Sequence, residues 1–329
     1  MTDAHVEVIK GMEPFVEESL GLLRDVKESW QPSDVLPDLS GENWQGEIEP
    51  FRQRAQALPD GIFIVLVGNT ITEEALPSYQ SMLTRHEGVG DRTGTSDNPW
   101  ARWTRGWTAE ENRHGELLGK YLYLSGRVNV RSVEVTTQNL IRSGFNPGTE
   151  NDPYRGLIYT SFQERATRIS HGNTGRLANQ AGDAVLGKIC NLVAGDESRH
   201  EEAYKRFVGE IVRRDPTGAV CAFSEMMKKR ITMPARLMSD GESQDLFGRF
   251  AAVAQRIGVY TARDYADILE HLLTTWGIPG LTGLSGESAE AQDSLCGLPQ
   301  HYRAFADKVQ GRLDREAQSA FPWIFNRPA

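Results

Sequence analysis

Apolar residues recur at helical spacing along most of the chain, and prolines, glycines and clustered small polar residues cut the pattern into separate helices. The spacing predicts helices over about residues 13–30, 44–58, 59–86, 100–125, 130–143, 153–181, 183–214, 217–230, 243–257, 262–276 and 285–316. Gln31-Pro32-Ser33-Asp34 ends the first, the Gly, Asp and Thr of 88–99 form a loop, and Asn146-Pro147-Gly148 turns the chain. Ile62-Phe63-Ile64-Val65-Leu66-Val67 would read as a strand on propensity alone. No partner strand of similar quality lies nearby, so this run is expected to be a helix apolar on every side, at the centre of a bundle. The terminal Phe321-Pro322-Trp323-Ile324-Phe325 is expected to be extended and to pack back on the body. The fold class implied is all-α, one domain over 1–329, with a helical core over about 59–215 and the first ~30 residues loosely ordered.

Composition narrows the setting. The chain carries 36 Lys and Arg against 45 Asp and Glu, a net charge of −9, which argues against nucleic acid as a bulk partner. No apolar run approaches the ~20 residues that cross a bilayer, and the opening Met1-Thr2-Asp3-Ala4-His5-Val6-Glu7 lacks the basic and apolar regions of an export signal. A soluble, cytoplasmic protein without membrane insertion is expected, or one of the plastid stroma if a transit peptide has been removed. Cys190, Cys221 and Cys296 are widely spaced, without a CxxC, and read as small buried residues rather than disulfides or zinc ligands.

One pattern occurs twice: Glu111-Asn112-Arg113-His114 and Glu197-Ser198-Arg199-His200. Residues three apart on a helix share a face, so each copy presents a carboxylate and an imidazole together. A single copy is as easily a surface ion pair; two copies sharing the arginine are harder to dismiss. Two such faces plus one glutamate from each of two further helices form the ligand pattern of ferritin-like di-iron bundles. The third carboxylate is expected at Glu73 or Glu74, because charge is rarely buried without a partner or a metal. The fourth is Glu164, whose helical neighbours Thr160, Ser161 and Thr167 are small enough to leave space beside a metal. Spacing leaves open which of Glu73 and Glu74, and which of Glu110 and Glu111, faces inward. Carboxylate and imidazole ligands with open positions suit iron that meets oxygen.

The segments Ile71-Thr72-Glu73-Glu74-Ala75-Leu76-Pro77, Trp107-Thr108-Ala109-Glu110-Glu111-Asn112-Arg113-His114-Gly115, Tyr159-Thr160-Ser161-Phe162-Gln163-Glu164-Arg165-Ala166-Thr167 and Asp196-Glu197-Ser198-Arg199-His200-Glu201 closely resemble the soluble acyl-acyl carrier protein (acyl-ACP) desaturases. The resemblance runs from about Trp30 to Phe325. It implies two irons per chain held by Glu73, Glu111, His114, Glu164, Glu197 and His200, with Glu111 and Glu164 spanning the metals. Asp196 and Trp30 would support the ligands from behind, and Thr167 would pass a proton during turnover or, equally, bond back to its own helix. The implied reaction is oxygen-dependent insertion of a cis double bond into an acyl chain on acyl carrier protein, with electrons from a ferredoxin-like donor, by a homodimer. Ferroxidase or iron-storage bundles and ribonucleotide-reductase-like subunits share the ligand types but not the whole-chain resemblance.

An acidic carrier protein needs basic charge gathered locally on this acidic chain. Lys228, Lys229, Arg230 and Arg236 are the candidate docking residues, though cations closing a helix C-terminus give the same pattern. The resemblance places Met82, Arg85, His86, Pro147 and Gly156 along the acyl channel, and a cation near its deep end would favour shorter chains.

Overall fold

The computed structural model describes residues 2–313 and 319–328. Thirteen α-helices span the described residues: α1 Thr2–Lys10, α2 Glu13–Ser19, α3 Trp44–Ala57, α4 Asp60–Glu74, α5 Leu76–Thr84, α6 Pro99–Ser125, α7 Val130–Ser143, α8 Pro153–Gln180, α9 Ala184–Arg214, α10 Pro216–Lys229, α11 Leu246–Arg256, α12 Ala262–Thr275 and α13 Glu287–Leu313. A two-residue hairpin pairs β1, Ala320–Phe321, with β2, Arg327–Pro328. The predicted helix over 285–316 extends past Leu313 outside the described residues.

The long helices start where the sequence signals a start. Asn98, Asp152 and Asp215 each accept a hydrogen bond from a backbone N–H of the first turn, at 2.9 Å, and each is followed by proline at the first helical position. Asp183 does the same for α9 through Leu186 N–H. A short turn after α8 brings α9 back alongside it, so α4, α6, α8 and α9 enclose the centre of the bundle. The run Ile62 to Val67 is helical and buried on every side in α4, as the absence of partner strands requires.

Two predicted helices are shorter than their periodicity suggests. The helix expected over 13–30 stops at Ser19, followed by a single 3-10 turn at Leu20–Leu22. Backbone groups beyond it have tertiary partners instead: Arg24 N–H donates to Glu110 Oε1 at 2.8 Å, and Leu22 C=O accepts from Arg199 at 2.6 Å. The segment expected as one helix over 59–86 breaks at Ala75, because Pro77 supplies no N–H to an i→i−4 bond. The carbonyl of Glu73, at that break, accepts from the Tyr79 hydroxyl at 3.2 Å.

In the N-terminal segment Ile9, Met12 and Val16 are fully buried, and the Trp100 indole donates to Ile9 C=O. The terminal Phe321, Trp323 and Ile324 are buried, with Pro322–Ile324 a 3-10 turn rather than extended, while Phe325 is exposed. All three cysteines are free; only Cys190 is buried, Cys221 being half-buried and Cys296 exposed, so the uniform reading of small buried cysteines is corrected.

Gly68, on α4, is required by a close approach: a Cβ there would lie 2.1 Å from the Phe250 ring. Alanine for glycine ordinarily favours a helix by about 1 kcal/mol. Here Gly68→Ala is expected to cost about 1–3 kcal/mol by forcing Phe250 to move. A thermal melt as high as that of the wild type would show that the ring shifts freely.

Candidate metal centre

Each ligand candidate comes from one of the four central helices: Glu73 from the end of α4, Glu111 and His114 from α6, Glu164 from α8, and Glu197 and His200 from α9. All six side chains are buried. Their donor atoms form two groups, each with all atoms within 4.8 Å of one another: Glu73, Glu111, His114 and Glu197; and Glu111, Glu164, Glu197 and His200. Glu111 and Glu197 belong to both groups, and Glu164 to one. This corrects the expectation that Glu111 and Glu164 span the metals. The two shared carboxylates are the glutamates of the doubled motif, which face each other across the bundle from α6 and α9. Glu73 and Glu164 flank them on opposite sides.

The residues fit a pair of divalent cations. Glu111 Oε1, His114 Nδ1, Glu164 Oε2, Glu197 Oε1 and His200 Nδ1 are buried without a hydrogen-bond partner, although native interiors rarely leave such atoms unpaired. Both histidines turn Nδ1 inward. Their outer nitrogens meet carboxylates: His114 Nε2 lies 3.5 Å from Asp196 Oδ2 and His200 Nε2 3.0 Å from Glu110 Oε2. A carboxylate accepting the outer N–H fixes the tautomer and leaves the inner lone pair for a metal. With metal bound, four ionised carboxylates and two neutral imidazoles would carry a charge of −4, which two divalent cations would balance.

Ionisation within the cluster is strained without such cations. Burial raises the Glu164 and Glu197 carboxyls, and neighbouring Glu111 adds to the rise. Burial acts the same way on Glu111, but His114 and His200 outweigh it and hold this carboxyl below the usual range. The cluster therefore divides charge unevenly among equivalent groups, as expected of like charges crowded in low dielectric.

Behind the ligands the two motif copies support each other crosswise. Asp196, just before Glu197, reaches the histidine of the other copy, and Glu110, just before Glu111, does the same in return. Trp30 Nε1 donates to Asp196 at 3.0 Å, and the Arg113 guanidinium lies over the Trp30 ring. Arg199 joins both acids, at 2.6 Å to Asp196 and 2.7 Å to Glu110. These contacts hold Glu110 below the usual carboxylate range, at about 2, because His200 and Arg199 overcome the effect of burial. Sequence reasoning missed Glu110, Arg113 and Arg199 as supports. The signal was present: the repeat is really acid-Glu-x-Arg-His. Trp107, donating to Glu164 Oε1 at 2.9 Å, and His171, 2.8 Å from Glu73 Oε1, were also missed, and nothing in local spacing marks them. Glu74 faces away from the cluster and bonds Thr137 at 3.1 Å.

The Thr167 hydroxyl lies 2.6 Å from Glu197 Oε2 and about equally near the carbonyls of Gln163 and Glu164, at 3.1 and 3.0 Å. The contact with a ligand carboxylate and the contact with its own helix coexist. A hydrogen bond to a charged group is worth about 1.5–3 kcal/mol, so Thr167→Val is expected to keep the metals and lower turnover roughly ten- to a hundredfold. Unchanged turnover at full metal content would leave the hydroxyl a helix contact alone.

A cavity reaches the cluster. Its wall combines Glu73, Glu111, Glu164 and Glu197 with the apolar Tyr79, Met82, Leu83, Trp107, Tyr159 and Pro234. Met82 therefore stands where the channel expectation puts it, but the neighbouring calls divide. Arg85 is exposed and does not line the channel, because the C-terminal turn of α5 points it to solvent. His86 is buried, its Nδ1 3.2 Å from Leu83 C=O and Nε2 3.3 Å from Thr149 Oγ1. Burial lowers its pKa, so the ring is neutral near pH 7. It fills the space at Gly156, where a Cβ would lie 2.8 Å from Cε1, and sits behind Leu83; neither His86 nor Gly156 itself lines this cavity or the adjoining one. Pro147 is half-buried and lines neither this cavity nor the adjoining one.

The basic cluster is similarly divided. Lys228 pairs with Glu225 at 2.9 Å, and Lys229 with Glu150 and Gly148 C=O. Arg236 is exposed, and Arg230 is exposed at the rim of the second cavity.

A family model described as fatty acid desaturase matches residues 4–325. A chloroplastic acyl-[acyl-carrier-protein] desaturase of Cucumis sativus is 55% identical over 328 residues, covering 99% of this chain and 83% of its own. The chain belongs to the acyl-ACP desaturase family. Among other members, chloroplastic stearoyl-[acyl-carrier-protein] 9-desaturases of Brassica napus and Ricinus communis are 54% and 53% identical, each over 99% of this chain, and cover 82% and 83% of their own lengths. The X-ray structure of DesA2 from Mycobacterium tuberculosis shares the fold, with a TM-score of 0.56 at 19% identity over 84% of this chain and 97% of that one. Like the sequence expectation, the structure has no single helix among the described residues long and apolar enough to cross a membrane.

Proposed function

We propose that this acyl-ACP desaturase inserts a double bond into a saturated fatty acyl chain carried on acyl carrier protein. The observation that carries the reading is the apolar cavity whose wall includes four ligand carboxylates. A hydrated ion gains nothing from such a wall, whereas a buried methylene gains about 0.8 kcal/mol. That favours an acyl substrate over an iron-storage role. The plastid relatives are named 9-desaturases, and we place the new double bond at carbon 9.

Glu73, Glu111, His114, Glu164, Glu197 and His200 would hold two irons, and iron supplies oxygen activation with electrons from a ferredoxin-like donor, chemistry beyond any side chain. The protein contributes position and exclusion of water. Tyr79, Met82, Leu83 and Trp107 confine the chain beside the ligands. Trp107 and His171 orient Glu164 and Glu73, and Asp196 and Glu110 keep the outer proton on each imidazole Nε2. The Thr167 hydroxyl holds a proton within reach of Glu197. Arg230 and Arg236, exposed near the rim of the second cavity, would meet the acidic carrier, with Lys228 and Lys229 partly neutralised by their own partners. We further propose a homodimer.

The test is purified protein with reductant, oxygen and a series of saturated acyl-ACPs, with the product double bond located by mass spectrometry. Because His86 sits just beyond Leu83 and closes the space at Gly156, turnover should peak at chains of roughly sixteen carbons or fewer and shift toward longer ones in His86→Leu. No product with any chain would refute the activity. A stearoyl optimum unmoved by His86→Leu would refute the role of His86.

A further inference from the structure

Two cavities meet at Thr72. The first adjoins the metal ligands. The second, of about 380 Å3, runs from a rim that includes Arg230 and the exposed Phe305 inward past Phe247, Phe250, Ala254 and Tyr260. A chain entering from the rim and passing Thr72 would cross it before reaching the ligand carboxylates. Apolar and aromatic side chains make up much of this second cavity's wall, and three buried polar side chains, Asn69, Thr72 and Ser170, interrupt it; of these only Asn69 has a buried side-chain atom without a hydrogen-bond partner. Asn69 is 8% exposed and lines this cavity. Its Oδ1 accepts from the Ser170 hydroxyl at 3.0 Å, and its Nδ2 has no partner. With the amide turned over, the Ser170 contact would use Nδ2 and leave Oδ1 unpaired, so one terminal atom lacks a partner in either orientation. The Ser170 hydroxyl donating to Oδ1 leaves the NH2 as that atom.

A buried donor without an acceptor is destabilising by itself and is tolerated where something else supplies the acceptor. Saturated methylenes have none. The acceptors on a carrier-bound chain are carbonyl oxygens near its head: that of the thioester, and those of the amides in the prosthetic arm. Asn69 lies one helical turn before Glu73, about 6 Å along the axis of α4. A group held there sits inside the protein, between the rim and the ligands, where the acyl end of the assembly belongs.

We propose that Asn69 Nδ2 donates a hydrogen bond to the thioester carbonyl oxygen of the carrier-bound acyl chain and so sets the register of the chain at the metal centre. This rests on the acyl-ACP reading above. Asn69 touches no metal ligand in this role; it is a specificity residue that fixes how many methylenes separate the carbonyl from the reacting carbons.

The test compares acyl-ACP with an alkyl carrier protein in which a thioether replaces the thioester, so that the thioester carbonyl is lost and the arm amides remain. Binding is measured without reductant, for the wild type and for Asn69→Leu, an apolar replacement of similar size. The wild type should bind the thioester form about three- to tenfold more tightly than the thioether form, the equivalent of one ordinary hydrogen bond. Asn69→Leu should bind both alike, and in turnover should spread the double bond over neighbouring positions where the wild type gives one. A wild type that does not discriminate between the two forms overturns the proposal whether or not the variant folds. Equal loss on both forms in Asn69→Leu also overturns it, assigning the acceptor to the prosthetic arm. A lower melting temperature with discrimination intact would make Asn69 structural and overturn it as well. Failure of the wild type to bind either carrier form would instead refute the acyl-ACP reading itself.

Discussion

Replacing His200 by alanine is expected to abolish turnover and to leave roughly one iron or fewer per chain where the wild type takes about two. His200 is the only nitrogen donor in the group formed with Glu111, Glu164 and Glu197. Without it that group consists of three carboxylates, two of them shared with the other group. Loss at one position would therefore weaken the second, since Glu111 and Glu197 belong to both groups. The outer contact fails too: Glu110 keeps Arg199 at 2.7 Å but loses the imidazole at 3.0 Å. Elemental analysis with Mössbauer spectroscopy of reconstituted protein reads the outcome. Full iron content with wild-type turnover in His200→Ala would remove His200 from the ligand set, and a wild type that takes up a single iron would remove the paired centre.

Removing the metals from the intact protein should produce the second large effect, a fall in melting temperature on the order of 5–10 °C. Glu73, Glu111, Glu164 and Glu197 are all buried with donor atoms a few ångströms apart. Uncompensated buried charge costs several kcal/mol, and breaking a buried pair by removing one partner is correspondingly destabilising. The metals act as that partner. Chelation under reducing conditions followed by calorimetry measures the change, and adding back ferrous ion should restore it where potassium at matched ionic strength does not. A demetallated protein that melts with the loaded one would mean that hydrogen bonds among the side chains already satisfy the cluster.

Much of this centre was legible because helical geometry is local. Glu111 with His114, and Glu197 with His200, share a face wherever the helix goes. The apolar Ile62 to Val67 could be placed at a bundle centre for the same reason, and proline after an Asn or Asp cap marked the starts of α6, α8 and α10. Where two neighbours competed, Glu73 with Glu74 or Glu110 with Glu111, periodicity could not choose, and the resemblance to known desaturases did.

What periodicity cannot supply is the offset and rotation of one helix against another. Those decide that Glu197 rather than Glu164 joins Glu111 in both groups of donor atoms, and that Asp196 and Glu110 each serve the histidine of the opposite motif copy. They also end a helix that its own residues would continue: the N–H of Arg24 and the C=O of Leu22 turn to Glu110 and Arg199, and α2 stops at Ser19. At the end of α5 adjacent residues part, Arg85 to solvent and His86 inward against Gly156 of α8, because the last turn of α5 sets their directions. The sequence alone determined most of the long helices and the carboxylate and imidazole side chains that the central ones bring together. The tertiary structure decided which carboxylates are shared, which supports cross between helices and which of Arg85 and His86 is buried, because each of these depends on distances between elements that no local repeat encodes.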